Sequence, residues 1–226
     1  MPETKLARVV TALRCTVVTS GTDNWFTPFA ERLVERLGST GHATLLFSHD
    51  EVEKSDIVFY LSYDSVVPPA TLALGGNNVV VHGSDLPHGR GWSPLTWQIL
   101  EGRNEITLTV FEATGSVDAG PIYLKENVKF NGRELLEELR AVVAERSILL
   151  CQSFIEQFPQ IVNNRHDQVG SPTYYQRRYP EDSRIDPNLT IAQQINLFRV
   201  VDNDRYPAFF EWNERRYYLR IESSDV

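Results

Sequence analysis

Strand-like and helix-like segments alternate along the first half of this chain, and that alternation constrains the fold more than any other feature. Four short apolar runs suit strands buried on both faces: Leu13–Ser20, Ala43–Phe47, Ile57–Leu61 and Asn78–Val81. After the first, Thr27 reads as an N-cap with Pro28 in the first helical position. Phe29, Leu33 and Leu37 then recur every four residues, and Gly38 and Gly41 end the helix. Pro68-Pro69 starts a short helical turn. Such βαβ units predict an open, mainly parallel α/β sheet with helices on both faces.

The second half is read the same way. His82 to Trp92 is a loop, Ser93-Pro94 opens a helix that Gly102 closes, and Ile106 to Phe111 alternates like a strand. A loop at 112–120 leads into an extended segment, Pro121 to Phe130. Asn131, with Glu134 as capping-box partner, predicts a long helix ending at Pro159. Its stripe is Leu135, Leu139, Val142, Leu149 and Phe158, widened by Leu136, Val143, Leu150 and Phe154. Composition shifts after Pro159, which divides the chain into a main domain, 1–159, and a small extension, 160–226. The extension holds a short helix, Thr190 to Val201, and a β-hairpin, Ala208 to Ile221, turning at Asn213-Glu214. It is too small to be stable alone, so it packs on the main domain.

Composition excludes several classes. The chain has 226 residues, 42% apolar and 23% charged, so a disordered or fibrous protein is ruled out. No apolar run reaches the roughly 18 residues of a membrane span. MPETKLARVV lacks a signal peptide's apolar core, which points to the cytoplasm. The net charge of -8 argues against a nucleic-acid partner. Cys15 and Cys151 read as reduced core residues. No dinucleotide or Walker glycine motif, nucleophile elbow or metal-ligand spacing occurs, so no metal is expected.

In an open parallel sheet, ligands bind outside the carboxyl ends of the strands. The loops 82–92 and 112–120 both read as leaving such ends, and they carry His82 and Asp118. Brought together, an imidazole and a carboxylate can form an acid–base pair, the carboxylate orienting the ring. On spacing alone, a loop histidine and a turn aspartate are the commoner reading.

The motifs around these two residues carry a resemblance. His82-Gly83-Ser84-Asp85-Leu86-Pro87, followed by Gly89-Arg90-Gly91, resembles the H-x-S-x-L-P…R-G signature of the 10-formyltetrahydrofolate-dependent formyltransferases. Val117-Asp118-Ala119-Gly120-Pro121-Ile122 resembles that family's D-x-G-x-I loop, and 118 − 82 = 36 residues suits the separation of its catalytic pair. YQRRYPEDS, Tyr175 to Ser183, and Ile185-Asp186 are similar to the R-R-T-P-E-D segment of enzymes that N-formylate nucleotide-linked 4-amino sugars. Arg199 to Asn203 and Tyr206-Pro207-Ala208 resemble later elements of the same enzymes. The larger C-terminal barrel of methionyl-tRNA formyltransferases has no room in this length.

The resemblance implies a formyltransferase-type fold and formyl transfer from 10-formyltetrahydrofolate to the amine of an amino sugar. A nucleotide-linked deoxy sugar for surface polysaccharide is the expected acceptor. It implies catalytic roles for His82 and Asp118. The family's asparagine two residues before the histidine is Val80 here, and Asn78, on the same strand face by alternation, is the candidate to replace it. Folate contacts fall to Tyr63, Ser84, Asp85, Leu86, Thr114 and Gly115, with Gly115 and Gly120 allowing close backbone approach. Substrate contacts fall to Arg90, Gly91, Trp92, Arg177, Arg199, Asn203 and Tyr206. Arg90 and Trp92 fit a structural ion pair and a core tryptophan equally well. Arg178 leans to structure. Any acceptor phosphate must be met by local arginines at 90, 177, 178, 199 or 205. FFEW and YYL carry more aromatics than one hairpin uses, which predicts a homodimer. The alternatives are another amine (a nonulosonic acid, an aminoacyl carrier or glycinamide ribonucleotide) or a non-catalytic folate or nucleotide-sugar binding protein.

Overall fold

A computed structural model describes residues 13–39 and 41–224. Residues 1–12, on which the signal-peptide expectation rests, lie outside them. In chain order the elements are β1 (Arg14–Val18), α1 (Thr27–Gly38), β2 (His42–Leu46), β3 (Ser55–Tyr60), α2 (Pro69–Leu72), β4 (Gly75–His82), β5 (Arg90–Gly91), α3 (Pro94–Leu100) and β6 (Glu105–Glu112). There follow β7 (Ile122–Lys129), α4 (Leu136–Glu156), α5 (Gln160–Asn163), β8 (Tyr174–Tyr175), α6 (Ile195–Arg199), β9 (Ala208–Trp212) and β10 (Arg215–Leu219).

Six strands form one sheet in the order β2-β1-β3-β4-β6-β7. The pairs among β1 to β4 are parallel, and β6 and β7 are added antiparallel. Alternation divides the side chains between two faces. Val17, Ile57, Phe59, Val79, Ile106, Leu108 and Val110 form the main core with α1 and α4. Val18, Val58 and Tyr60 point the other way, where α2 and the 62–67 segment supply Leu72, Tyr63 and Val67. Cys15 and Cys151 are both free and buried in the main core. Burial pushes the Cys15 thiol up to about 11, with Asp56 adding to the rise.

Several local expectations are corrected. The N-cap of α1 is Phe26, whose N–H is held by Asn24 Oδ1 at 2.9 Å, while the Thr27 hydroxyl donates to the Gly21 carbonyl. α4 begins at Leu136 rather than Asn131, with Glu138 as the N3 partner of the Leu135 N–H. Glu134 instead accepts N–H bonds from Asn131, Gly132 and Arg133 in the preceding turn. The buried stripe of α4 runs Leu136, Leu139, Val143, Ser147, Leu150 and Phe154, and the anticipated Val142 and Leu149 face outward. The 190–201 helix is a 3₁₀ turn at Ala192–Gln194 followed by the short α6. The hairpin forms as expected, because Asn213 and Glu214 both take positive φ, as a two-residue turn joining β9 to β10 requires.

Candidate active site

His82 is the last residue of β4, so its ring stands at the carboxyl edge of the parallel strands. The loop 82–92 leaves that edge as expected, but 112–120 does not. β6 runs antiparallel to β4, with His82 opposite Thr109 and Val79 opposite Glu112, so β6 ends some way back from His82. The chain then turns back over the sheet. The Glu112 N–H donates to the Pro121 carbonyl at 2.9 Å and closes the loop on itself. Gly120 serves this closure, since a Cβ there would overlap the Glu112 carbonyl oxygen, whereas Gly115 faces open space. Asp118 sits on the returning arm at φ +47°, which aspartate tolerates better than most residues.

The return places Asp118 Oδ2 at 3.7 Å from His82 Nε2 and 2.7 Å from the Gly91 N–H that donates to it. His82 Nε2 also lies 2.8 Å from the Gly89 carbonyl oxygen. A carbonyl only accepts, so Nε2 carries the ring proton in this arrangement. The ring packs edge-on to Phe111. Gln168 holds the returning arm from outside. Its amide donates to the Asp118 and Gly120 carbonyls at 2.8 and 2.9 Å, and its oxygen accepts from Arg90 at 2.6 Å. Nothing in the sequence marks Gln168, which sits in the aperiodic stretch after Pro159.

His82 and Asp118 border a cavity of about 390 Å³. Tyr60, Val80 and Phe111 line it from the sheet, and Tyr63, Thr114 and Ser116 from the two flanking loops. Among the described residues Arg140 is the one cation in its wall, and it is neutralised by Glu137 at 2.7 Å and Asp202 at 3.0 Å while lying over the Trp25 ring. Trp92 lines the same cavity, and Arg177 lies over its ring at 4.8 Å with no hydrogen bond or ion pair among the described residues.

The remaining expected site residues divide sharply. Tyr63, Thr114, Gly91 and Trp92 line the cavity, and Arg177 reaches it through Trp92. Ser84 and Leu86 are buried outside its wall, Asp85 pairs with Lys125 at 2.5 Å, and Gly115 is not in the wall. Asn78 shares a face with His82 but is four residues back, about 13 Å along the strand. Its amide nitrogen donates to the Leu72 carbonyl, so it does not complete the His82–Asp118 pair. Arg199 is 1% exposed and bonds Asn104, Asn196 and Glu134, which makes it a clamp between α6 and the start of α4. Asn203 bonds the Ile221 backbone in both directions. Tyr206 pairs with the Asp202 backbone, and Arg90 is held by Gln168. Arg178 is buried on the Val200 and Asp182 carbonyls and the Ser183 hydroxyl, a structural role.

Residues 17–163 match the formyl transferase family model. The chain belongs to the formyl transferase family. Among curated relatives, this formyltransferase-family chain is 27% identical over 166 residues to the bifunctional polymyxin resistance protein ArnA of Wigglesworthia glossinidia brevipalpis. That match covers 70% of the chain and 24% of the relative, so the chain spans about a quarter of the relative's length. Solved structures share the fold. Methionyl-tRNA formyltransferase from Clostridium thermocellum superposes with a TM-score of 0.73 at 22% identity over 90% of each chain. A likely sugar N-formyltransferase from Mycobacterium tuberculosis gives 0.70 at 18% identity over 95% of this chain and 100% of that one. HypX from Aquifex aeolicus in complex with tetrahydrofolic acid gives 0.74 at 16% identity over 90% of this chain and 36% of the other. Among the described residues no helix is long and apolar enough to cross a membrane, and no cluster could hold a metal ion.

Proposed function

We propose that the protein transfers a formyl group from 10-formyltetrahydrofolate to the amine of a nucleotide-linked amino sugar. The observation that carries this reading is the approach of Asp118 to His82, brought from loops 36 residues apart (118 − 82) to the border of one cavity. The neighbour that binds tetrahydrofolic acid and the neighbour described as a likely sugar N-formyltransferase support the two substrates. The folate would enter this cavity with its formyl group toward His82 and Val80.

In the reaction the amine nitrogen bonds to the formyl carbon and the bond from that carbon to the folate nitrogen breaks. Asp118 takes the proton the amine must lose, His82 donates to the oxygen as it gains charge, and the proton ends on the departing folate nitrogen. The acceptor's phosphates lie outside the cavity, because Arg140 is already paired, while Arg177, unpaired over Trp92, is a guanidinium left free beside it.

Residues 1–159 act as the catalytic domain and 160–226 as an extension that holds the Asp118 arm through Gln168. Trp212 and Tyr218, 58% and 64% exposed, are covered when two hairpins meet in a homodimer. Two unbridged buried thiols suit the cytoplasm, where the product feeds surface polysaccharide synthesis. The test incubates the protein with 10-formyltetrahydrofolate and a panel of nucleotide-linked amino sugars. A formylated sugar with release of tetrahydrofolate is expected. Folate binding without transfer would leave a non-catalytic binder, and transfer to a different amine would replace the acceptor.

A further inference from the structure

Gly89 and Gly91 each hold one member of the His82–Asp118 pair through the backbone. The Gly89 carbonyl accepts from His82 Nε2 at 2.8 Å, and the Gly91 N–H donates to Asp118 Oδ2 at 2.7 Å. The extension in turn holds this stretch. β8 pairs with β5 in parallel, Arg90 opposite Tyr174 and Gly91 opposite Tyr175. Thr173, just before β8, bonds the loop three times. Its hydroxyl accepts from the Gly89 N–H at 2.8 Å, its carbonyl accepts from the Arg90 N–H at 3.0 Å, and its own N–H donates to the Pro87 carbonyl at 3.4 Å. Gly89 takes φ +72°, and a Cβ there would stand 2.8 Å from the Tyr175 ring. The Tyr175 ring is itself stacked on Trp97, and its hydroxyl donates to Glu101 at 2.9 Å.

We propose that Thr173 is a positioning residue for His82, acting through Gly89 to keep the ring proton on Nε2. This rests on the role given to His82 above. Gly89 lies between two peptide planes. The N–H of one bonds the Thr173 hydroxyl and the N–H of the next bonds the Thr173 carbonyl, so a single residue fixes both dihedrals of a glycine that is otherwise free to turn. In a trans peptide the carbonyl and the N–H point opposite ways, so holding the Arg90 N–H aims the Gly89 carbonyl at His82. A neutral imidazole has one N–H, and the partners of its two nitrogens decide which one bears it. The aimed carbonyl only accepts, so it selects Nε2, the nitrogen that faces Asp118. That is where formyl transfer needs a donor. Thr173 touches no reacting atom and acts on the chemical step, not on binding.

The experiment compares wild type, Thr173→Val, which removes the hydroxyl and keeps the shape, and Thr173→Ser, which keeps the hydroxyl. The His82 ring nitrogens are read by ¹⁵N NMR in the unliganded protein with the ring neutral, and formyl transfer is measured alongside. Wild type is expected to show the proton on Nε2. In Thr173→Val the Nδ1–H tautomer should appear and kcat should fall about tenfold with both KM values kept. Thr173→Ser should restore tautomer and kcat together, which a merely structural tie would not do. A wild-type ring protonated on Nδ1 overturns the proposal. So does a Thr173→Val protein with the wild-type tautomer and kcat, whatever its melting temperature. Because the tautomer is read without substrate, a wild type that transfers no formyl group overturns the functional reading, while a tautomer shift in Thr173→Val still upholds the hold of Thr173 on His82.

Discussion

The Asp118 carboxylate stands 3.7 Å from the His82 imidazole because its loop turns back over the sheet, against the direction its strand was travelling. The pair is built by tertiary closure. The Glu112–Pro121 backbone bond and the two Gln168 bonds hold the arm, and the Gly91 N–H orients the carboxylate itself.

Removing either member of the pair should abolish most turnover. His82→Ala and Asp118→Ala are each expected to lower kcat by about 10²- to 10³-fold, with tetrahydrofolate affinity kept. Steady-state kinetics beside a binding titration checks this, and near-normal rates in both variants would sink the assignment.

Gln168 should act through Asp118. Gln168→Leu removes the donors to the Asp118 and Gly120 carbonyls and the acceptor for Arg90. We expect kcat to drop about tenfold, with a stability loss of about 1–3 kcal/mol from the unpaired groups. A stability loss with unchanged kcat would reduce Gln168 to a structural tie.

Val80 leaves an apolar surface where a donor could face the formyl oxygen. Val80→Asn is expected to raise kcat by about tenfold, since a donor aimed at a developing oxyanion commonly contributes that much or more. Pre-steady-state formyl transfer is the measurement, and an unchanged or lower rate would show that a side chain here does not reach the reacting oxygen.

Arg199 should matter for folding and not for substrate. Arg199→Met leaves Glu134 partly buried without its ion pair and should cost about 3–5 kcal/mol in chemical denaturation. A raised acceptor KM at unchanged stability would return Arg199 to the substrate site.

The extension should loosen in acid. Burial alone would raise the Asp202 pKa, yet the N–H of Arg205, Arg140 and the N–H of Asp204 together hold it below the usual carboxylate range. Glu134 is likewise lowered, its burial outweighed by the N–H donors of its turn and by Arg199. Carboxyls depressed in the folded state stabilise it above their unfolded values, about 3.9 for Asp and 4.3 for Glu, and that contribution is lost as pH falls further. Stability from these two groups should be flat from neutrality to about pH 5 and decline below about pH 4. In Asp202→Asn the decline should be shallower.

Much of the architecture was legible in the residues themselves. Strand pattern, helix α1, the hairpin turn at Asn213-Glu214 and the buried free cysteines depend on local periodicity and turn chemistry, which a linear chain displays directly. So do the two motifs that hold His82 and Asp118. The direction of β6 was not legible, because an alternating strand reads alike in either sense. Tertiary structure decided which of the expected residues share a cavity. Asn78 faces the correct side but lies too far back, and Arg199 and Asn203 spend their hydrogen bonds inside the fold. Gln168 matters only through what packs around it. A sequence states which groups can donate, accept or titrate, but burial and partner geometry determine which of them remain free to meet a ligand, and those arise only when distant segments close on one another.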